Sequence, residues 1–489
     1  MRTLIRSAIY ALGALIAASA GLGIPRSASA FSITEFTQNL TANSSPTGIT
    51  ADNVGNLWFT EAGTGNIGRI TTGGTITEFA LPAAGSNPTA IATDLDGNLW
   101  FTEPERHTIG RIDVNNLPFG ATNPIIINVT GSPFGIVSDR AVAEKLWFTE
   151  SVPDLIGNAD KNAVVLNEIK FEAGVSSPAR APQRIALGGD GALWFTEAGA
   201  NRIGRIDPNS NVITEFSQGI TANSAPTGIT AGVDGNLWFT EGAAGKIGRI
   251  TTSGVVTEFD LPVKDSNPTA IALGPDNNLW FTETNTGKIG VIAPGDPADA
   301  SGAFAPAIAE FPTPTAASAP KGIVADPNGE GVWFTENQAI GHFLPDTANG
   351  QAFEVILSAA PNPGRPGQLV TLTALILGRS VSGGINGDVT FFDNSTASKT
   401  FLGSSKVKNG AGRLEVTLGR GVHNISGEFT AAVPNAGTGA GSFSLSIDEP
   451  SLSGGGGGGC TSGAGSMFDP TLTLLTLLAL YRRTIRRCE

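Results

Sequence analysis

A five-residue motif, Leu-Trp-Phe-Thr-Glu or its Val-Trp-Phe-Thr-Glu variant, occurs seven times in the 489-residue chain and contains every tryptophan of the protein. Successive tryptophans are 42 to 53 residues apart, which is the length of four short antiparallel strands in one blade of a β-propeller. A closed ring accounts for seven equivalent copies without polar capping repeats, whereas an open solenoid needs such caps. The sequence therefore predicts an all-β chain whose main domain, residues 31–348, is a seven-bladed β-propeller. The motif tryptophans are Trp58, Trp100, Trp147, Trp194, Trp238, Trp280 and Trp333.

Each repeat contains four segments of strand length separated by turns. In the second repeat an Asp96-Gly97 turn precedes the tryptophan strand, because these residue types tolerate the positive φ of a hairpin. Seven equivalent tryptophans indicate packing between blades rather than a platform for a ligand. The fourth-strand pattern Ile-Thr-Glu-Phe already appears at Ile33–Phe36, so this segment is expected to complete the seventh blade. The segment Phe353–Ile356 is the alternative for that place.

Composition limits both the partners and the chemistry of the protein. The formal net charge is −13 and the body of the chain has no basic cluster, so its surface repels nucleic acid and anionic lipid. Both cysteines, Cys460 and Cys488, lie near the C-terminus, so the predicted domains contain neither a disulfide nor a thiolate site. Three scattered histidines support no catalytic triad and no zinc site. We expect a monomer that binds no nucleic acid.

Both ends of the chain have the features of export and attachment signals. Residues 1–30 combine a positive start, an apolar stretch and a small-residue cleavage site, as a secretory signal peptide does. Residues 449–466 form a glycine-rich linker, and residues 467–489 an apolar segment that ends in an arginine cluster. This order resembles the C-terminal sorting signals of Gram-negative bacteria, with a permanent membrane anchor as the alternative, and Cys460 is a candidate for lipidation or processing. We therefore expect secretion across the inner membrane, followed by association with the cell surface or outer membrane, or release once the tail is processed.

After the last tryptophan motif the sequence changes to short segments in which apolar and polar residues alternate. Over residues 351–448 this pattern predicts an immunoglobulin-like β-sandwich. Val389–Asp393 and Gly421–Ile425 resemble the V-T-F-x-D and G-x-H-x-I strands of bacterial immunoglobulin-like repeats. His423 is expected to be structural, and the domain is expected to space the propeller from a membrane or surface.

One end of every blade is a candidate binding surface. In a hairpin the start of one strand lies beside the end of the next, so the residue after each repeat's proline should meet the glutamate that ends the tryptophan strand. Seven carboxylates that converge near a central channel could bind a divalent cation or a sugar. A repeated charge pair is usually scaffold, so we expect instead that the recurring Arg69, Arg111, Arg205 and Arg249 pair with these glutamates within or between blades. The predicted rim contains Thr47, Glu61, Thr89, Glu103, Phe134, Glu150, Gln183, Glu197, Thr227, Glu241, Thr269, Glu283, Lys321 and Glu336.

The repeats resemble the virginiamycin B lyase family. The likeness covers residues 31 to about 345 and lies in the recurring text P-x-G-I-T, N-L-W-F-T-E, G-K-I-G-R-I and I-T-E-F. It implies a seven-bladed propeller that opens a cyclic depsipeptide antibiotic by elimination across its ester, with a histidine base and magnesium. The family's histidine follows the proline of the last blade, and Lys321 occupies that position here. The family's metal-binding glutamates correspond to Ala319 and Asn337, and a tyrosine of its first blade corresponds to Thr47.

These replacements decide the expected function. Without an imidazole no group of near-neutral pKa is present to take the proton, and without the two carboxylates magnesium loses its anchors. We expect a non-catalytic, extracytoplasmic recognition protein without a cofactor, whose rim, with Asn337 added, binds carbohydrate, a peptide or a small cyclic ligand. The alternative is a diverged carbon–oxygen lyase or lactone-processing enzyme that uses Lys321 or the glutamates, with magnesium as cofactor.

Overall fold

The computed structural model describes residues 31–83, 85–117, 124–140, 145–171, 180–296, 305–345, 353–378, 384–396, 398–432 and 437–447. The predicted signal peptide, glycine-rich linker and C-terminal tail, and Cys460 with them, lie outside the described residues. No helix in the described part of the chain has the length and apolar character that a bilayer crossing requires.

Seven four-stranded antiparallel sheets form the first domain. The first described strand is β1 (Phe31–Phe36). Blade 1 contains β2 (Pro46–Ala51), β3 (Leu57–Glu61), β4 (Asn66–Ile70) and β5 (Ile76–Ala80). Blade 2 contains β6 (Ile91–Thr93), β7 (Leu99–Glu103), β8 (Thr108–Ile112) and β9 (Ile125–Asn128), with a 3₁₀ turn at Pro104–Arg106. Blade 3 contains β10 (Pro133–Ser138), β11 (Lys145–Ser151), β12 (Asp154–Asp160) and β13 (Val165–Lys170).

The remaining blades repeat this pattern. Blade 4 contains β14 (Pro182–Leu187), β15 (Leu193–Glu197), β16 (Arg202–Ile206) and β17 (Ile213–Phe216). Blade 5 contains β18 (Pro226–Ala231), β19 (Leu237–Glu241), β20 (Lys246–Ile250) and β21 (Val256–Asp260), followed by a 3₁₀ turn at Lys264–Ser266. Blade 6 contains β22 (Pro268–Leu273), β23 (Leu279–Glu283), β24 (Lys288–Ala293) and β25 (Ala307–Pro312). Blade 7 contains β26 (Ile323–Ala325), β27 (Val332–Thr335), β28 (Ile340–Pro345) and, as its outermost strand, β1.

The seven blades form a closed ring. Each innermost strand contacts the innermost strand of the next blade, and β26 contacts β2. Strand β1 pairs antiparallel with β28, with Ile33 opposite Phe343 and Phe36 opposite Ile340. The prediction that the N-terminal segment completes the seventh blade is confirmed, and so is the seven-bladed all-β propeller.

The repeated motif builds the contacts between blades. All seven tryptophans are at most 2% exposed, which confirms that they serve packing, and each indole Nε1 donates to an aspartate of the preceding turn, as Trp100 does to Asp94 at 2.9 Å. The phenylalanine that follows the tryptophan packs on the glycine of the third strand. A Cβ at Gly248 would lie 2.1 Å from the Phe239 ring, so this position has room only for glycine.

The second domain is a seven-stranded sheet with the order β32-β31-β34-β35-β29-β30-β33. Its apolar core includes Val370, Phe391, Ile425 and Leu445. Because Phe353–Ile356 begins the first strand of this sheet, the alternative that it closes blade 7 is wrong. The strands are β29 (Phe353–Ala360), β30 (Leu369–Gly378), β31 (Gly387–Asp393), β32 (Thr400–Val407), β33 (Ala411–Thr417), β34 (Gly421–Ala431) and β35 (Thr438–Ile447).

The two domains share a packed junction. Leu375, Leu377 and Ala411 of the second domain belong to one buried cluster with Val291 and Ala293 of blade 6. Polar contacts surround this cluster: Asn278 Nδ2 donates to the Ile376 carbonyl at 3.2 Å, Asn409 Nδ2 donates to the Gly295 carbonyl at 2.8 Å, and Lys408 Nζ lies 2.6 Å from Asp296. The second domain is therefore docked on blade 6 and does not hang from a free linker.

Candidate functional site

The innermost strand and the tryptophan strand of each blade meet at one face of the ring. Pro46 is the cross-strand partner of Glu61, and Pro226 is the partner of Glu241, with the same pairing in blades 3, 4 and 6. The residue after each proline is half-buried at this face. We call this face the rim; the half-buried residues are Thr47, Thr89, Phe134, Gln183, Thr227, Thr269 and Lys321.

The threonine of each Trp-Phe-Thr-Glu motif links the rim of one blade to that of the next. Thr240 Oγ1 accepts a hydrogen bond from the backbone N–H of Gly228 in its own blade at 2.7 Å. The same hydroxyl donates to the Thr269 carbonyl of the next blade at 2.9 Å. All seven threonines bond in this way, so seven hydroxyls form a continuous circle around the channel. The donors are Thr60, Thr102, Thr149, Thr196, Thr240, Thr282 and Thr335.

The expectation that the seven glutamates converge on the channel is wrong. Their exposed fractions are 0–1%. Four of the carboxylates accept hydrogen bonds from their own blade or from the loop that leads into it, whereas the oxygens of Glu197, Glu241 and Glu336 accept none from the described residues. Glu61 Oε2, for example, accepts hydrogen bonds from Thr64 Oγ1 at 2.5 Å and from Asn66 Nδ2 at 3.0 Å. The side chains reach from the second strand towards the outer strands, because a strand residue points to a face of its sheet and not along the edge that lines the channel. The buried set is Glu61, Glu103, Glu150, Glu197, Glu241, Glu283 and Glu336.

Most of these buried glutamates have a second glutamate as a neighbour. Burial, together with the charge of Glu78, raises the pKa of Glu61 to about 7. Burial and the charge of Glu258 raise the pKa of Glu241 to about 8. The outer glutamate in turn anchors the loop that leads into the blade: Thr41 donates its N–H and its hydroxyl to the Glu78 carboxylate at 2.6 and 2.5 Å. This arrangement holds the scaffold together and leaves no carboxylate ring facing a ligand.

The expectation that the recurring arginines pair with the glutamates is also wrong. Arg69 lies over the Trp58 ring, 5.6 Å from its centroid, and Arg111, Arg205 and Arg249 lie over the tryptophans of their own blades in the same way. The register explains this, since each arginine is opposite the tryptophan and not opposite the glutamate. Different arginines approach two of the glutamates: Arg106 Nε is 3.8 Å from Glu103, and Arg180 Nε is 3.9 Å from Glu197.

Blade 7 carries the residues that replace the family's base and metal ligands. Lys321 Nζ donates to Ser45 Oγ at 2.9 Å, and burial lowers the pKa of this lysine below its ordinary value. Asn337 donates its backbone N–H to the Ser318 carbonyl at 2.9 Å and, with Glu336 and Gln338, lines a cavity of about 170 Å³.

This donor set does not fit magnesium. The side chain of Ala319 has no ligand atom, Asn337 offers a neutral amide in place of a carboxylate, and the ammonium of Lys321 repels a cation. In the described ranges no three His, Cys, Asp or Glu side chains are grouped so that they could hold a metal ion.

Comparison with known proteins identifies the relatives of this chain. A profile of the virginiamycin B lyase family matches residues 18–168 and 126–357. The solved virginiamycin B lyase from Staphylococcus aureus is 34% identical with a TM-score of 0.56, and the match covers 64% of this chain and 99% of that chain. A streptogramin B lyase structure is 31% identical with a TM-score of 0.57, and the match covers 65% of this chain and 98% of that chain.

A catalytically inactive variant of the Staphylococcus aureus lyase with quinupristin is 35% identical, with a TM-score of 0.56 and coverage of 64% of this chain and 99% of that chain. The comparison with curated proteins found no match. The profile match extends over more than half of the chain and agrees with the propeller architecture. The chain therefore belongs to the virginiamycin B lyase family.

Proposed function

We propose that this protein is a non-catalytic recognition protein that works outside the cytoplasm and binds carbohydrate, a peptide or a small cyclic ligand at the propeller rim. The observation that carries this proposal is the replacement of the family's base and metal ligands by Lys321, Ala319 and Asn337. An ammonium that donates to the Ser45 hydroxyl is a hydrogen-bond donor for a ligand and not a proton acceptor.

The proposal includes the domain organisation. A signal peptide over residues 1–30 precedes the propeller, residues 31–348, and an immunoglobulin-like sandwich, residues 351–448. A linker over residues 449–466 and a sorting or anchor tail over residues 467–489 attach the protein to the membrane or cell surface, with Cys460 as the lipidation or processing site. The second domain supports the sandwich, because its seven strands enclose one apolar core and its first strand, β29, pairs antiparallel with β30 and parallel with the last strand, β35.

The ring opening of a streptogramin B antibiotic, followed by mass spectrometry, tests the absence of catalysis. We expect no linear product above the rate without protein, either with magnesium or with EDTA. Lys321→Ala is the informative variant, and Lys264→Ala, which removes an exposed lysine of the loop that leads into blade 6, is its matched control. Turnover by the wild type that Lys321→Ala abolishes and Lys264→Ala keeps would overturn the proposal.

One observation favours a second function, a diverged lyase or lactone-processing enzyme. Lys321 stands at the position of the family's base, and its burial lowers its pKa, which is the direction that a lysine base requires. Magnesium would enter only in this alternative. The streptogramin experiment above separates the two functions directly.

A further inference from the structure

The innermost strands surround a narrow central channel. Each blade contributes one isoleucine at the same strand position, and each of these isoleucines is 6–8% exposed. Together they form an apolar ring around the channel, which we call the collar. A cavity of about 130 Å³ lies in the channel and is lined by six of these isoleucines and by residues that precede them in their strands. The collar consists of Ile49, Ile91, Ile136, Ile185, Ile229, Ile271 and Ile323.

The residue before each isoleucine is small in six blades and is an arginine in blade 4. Glycine occupies this position in four blades and alanine in two, whereas blade 4 has Arg184. The remaining six are Gly48, Ala90, Gly135, Gly228, Ala270 and Gly322. At the four glycines a Cβ would lie 2.3–2.7 Å from a carbonyl oxygen of the next blade, so these blades have no room for a side chain here. Blade 4 alone therefore places a guanidinium group at the lining of the cavity.

Among the residues that the structure describes, no opposite charge lies beside Arg184. None of the residues that line the cavity is a carboxylate, and none of the salt bridges in the described part of the chain includes Arg184. Its guanidinium carbon lies 5.4 Å from the centroid of the Phe134 ring, on the neighbouring blade. Burial lowers the pKa of Arg184 to about 10, but the side chain remains cationic at neutral pH. Arg184 is half-buried by its exposed surface, and a cation in such a place without an opposite charge is unfavourable. An anion that enters the channel relieves that cost.

We propose that the central channel is an anion site, in which the guanidinium of Arg184 binds a carboxylate or similar oxyanion of a small ligand. A guanidinium presents two parallel N–H donors to a planar oxyanion, and the Phe134 ring fixes one of its faces. The cavity has room for one such group. The remainder of the ligand would lie on the rim beside the half-buried Gln183 and Phe134. This inference deepens the proposed binding function and rests on it for the position of the ligand, but the anion site itself can be tested alone.

The test compares the wild type with Arg184→Ala, using inorganic sulfate as the probe. Alanine is the natural residue at Ala90 and Ala270, so this change gives blade 4 a side chain that two other blades already accept. The backbone geometry supports this choice, because it is nearly the same at the three positions. The distance from the backbone nitrogen to the motif threonine's Oγ1 is 3.2 Å at Arg184, 3.1 Å at Ala90 and 3.0 Å at Ala270. Arg184→Lys keeps the charge and removes the bidentate geometry.

Thermal unfolding is followed in sodium chloride and in sodium sulfate at equal ionic strength. Sulfate also stabilises proteins by exclusion from their surface, and the response of Arg184→Ala measures that background. At about ten times the Kd of sulfate we expect the Tm of the wild type to rise about 2 °C more than that of Arg184→Ala, with Arg184→Lys between them. In chloride alone Arg184→Ala should have the higher Tm.

Two results would overturn the anion site. The first is an equal sulfate response of the wild type and Arg184→Ala. The second is a lower Tm of Arg184→Ala in chloride, which would assign Arg184 to the scaffold. Turnover of a streptogramin would contradict the proposed binding function and would leave the sulfate result unchanged, so the two failures are distinguishable.

Discussion

The circle of threonine hydroxyls at the rim predicts a large effect of a nearly isosteric substitution, Thr240→Val. The hydroxyl of Thr240 is fully buried and joins the N–H of Gly228 to the carbonyl of Thr269, so valine leaves one buried donor and one buried acceptor without this partner. Each buried group without a partner lowers the free energy of unfolding by about 1–3 kcal/mol. The carbonyl has a second lone pair and loses less than the N–H, so we expect about 3 kcal/mol for the two groups together. With an unfolding entropy of about 2.1 cal/mol/K per residue, this loss lowers the Tm of a unit of about 300 residues by about 5 °C.

Differential scanning calorimetry on the wild type, Thr240→Val and Thr240→Ser measures this loss. Serine keeps the hydroxyl and removes only the methyl group, so Thr240→Ser should lose clearly less stability than Thr240→Val. The reasoning is refuted if Thr240→Val unfolds within about 1 °C of the wild type, or if Thr240→Ser is at least as unstable, because packing of the methyl group would then be the important contribution.

Two further predictions concern the buried carboxyls and the junction between the domains. The pKa of Glu241 in the folded protein, about 8, lies above its ordinary value of 4.5. The stability that this carboxyl contributes is therefore complete below about pH 4.5 and is lost as the pH rises through 8. The Tm of Glu241→Gln should fall less between pH 5 and pH 9 than the Tm of the wild type, and an equal fall would show that Glu241 is not the source of the pH dependence. Leu377→Ala removes a fully buried side chain from the cluster shared with blade 6 and should cost about 2–5 kcal/mol. Since every tryptophan lies in the propeller, the midpoint of guanidinium unfolding by tryptophan fluorescence should fall, and an unchanged midpoint would show that the domains unfold independently.

The fold could be predicted from the sequence because the repeated motif fixes both the blade and its number. Trp58 and its six equivalents mark one strand per blade, and the early Ile33–Phe36 segment indicates how the ring closes. The junction between the domains could not be predicted. Leu375 and Leu377 stand in the uninterrupted apolar run of residues 374–377, which indicates a strand covered on both faces, but nothing in the pattern tells which domain covers the second face.

The candidate site was less predictable, because a repeat specifies the place of a residue in a strand and not the direction of its side chain. Glu61 and Glu241 end their strands at the rim as expected, yet they reach outwards and are buried. The role of the threonines was missed although Thr60 and its equivalents recur in every blade. Arg184 was also missed, and its signal was present, since Pro-Gln-Arg-Ile is the only copy with a charged residue where the other blades have glycine or alanine.

The closing strand of the ring has a consequence for biogenesis. Of the described strands β1 is synthesised first, whereas its partner β28 is completed only when residue 345 has been made. Earlier blades can pair their own strands during this interval, but β1 must stay unpaired and extended until the last blade appears. A chain that is cut short before residue 340 keeps an open ring with a free strand edge, which is a template for pairing with other chains.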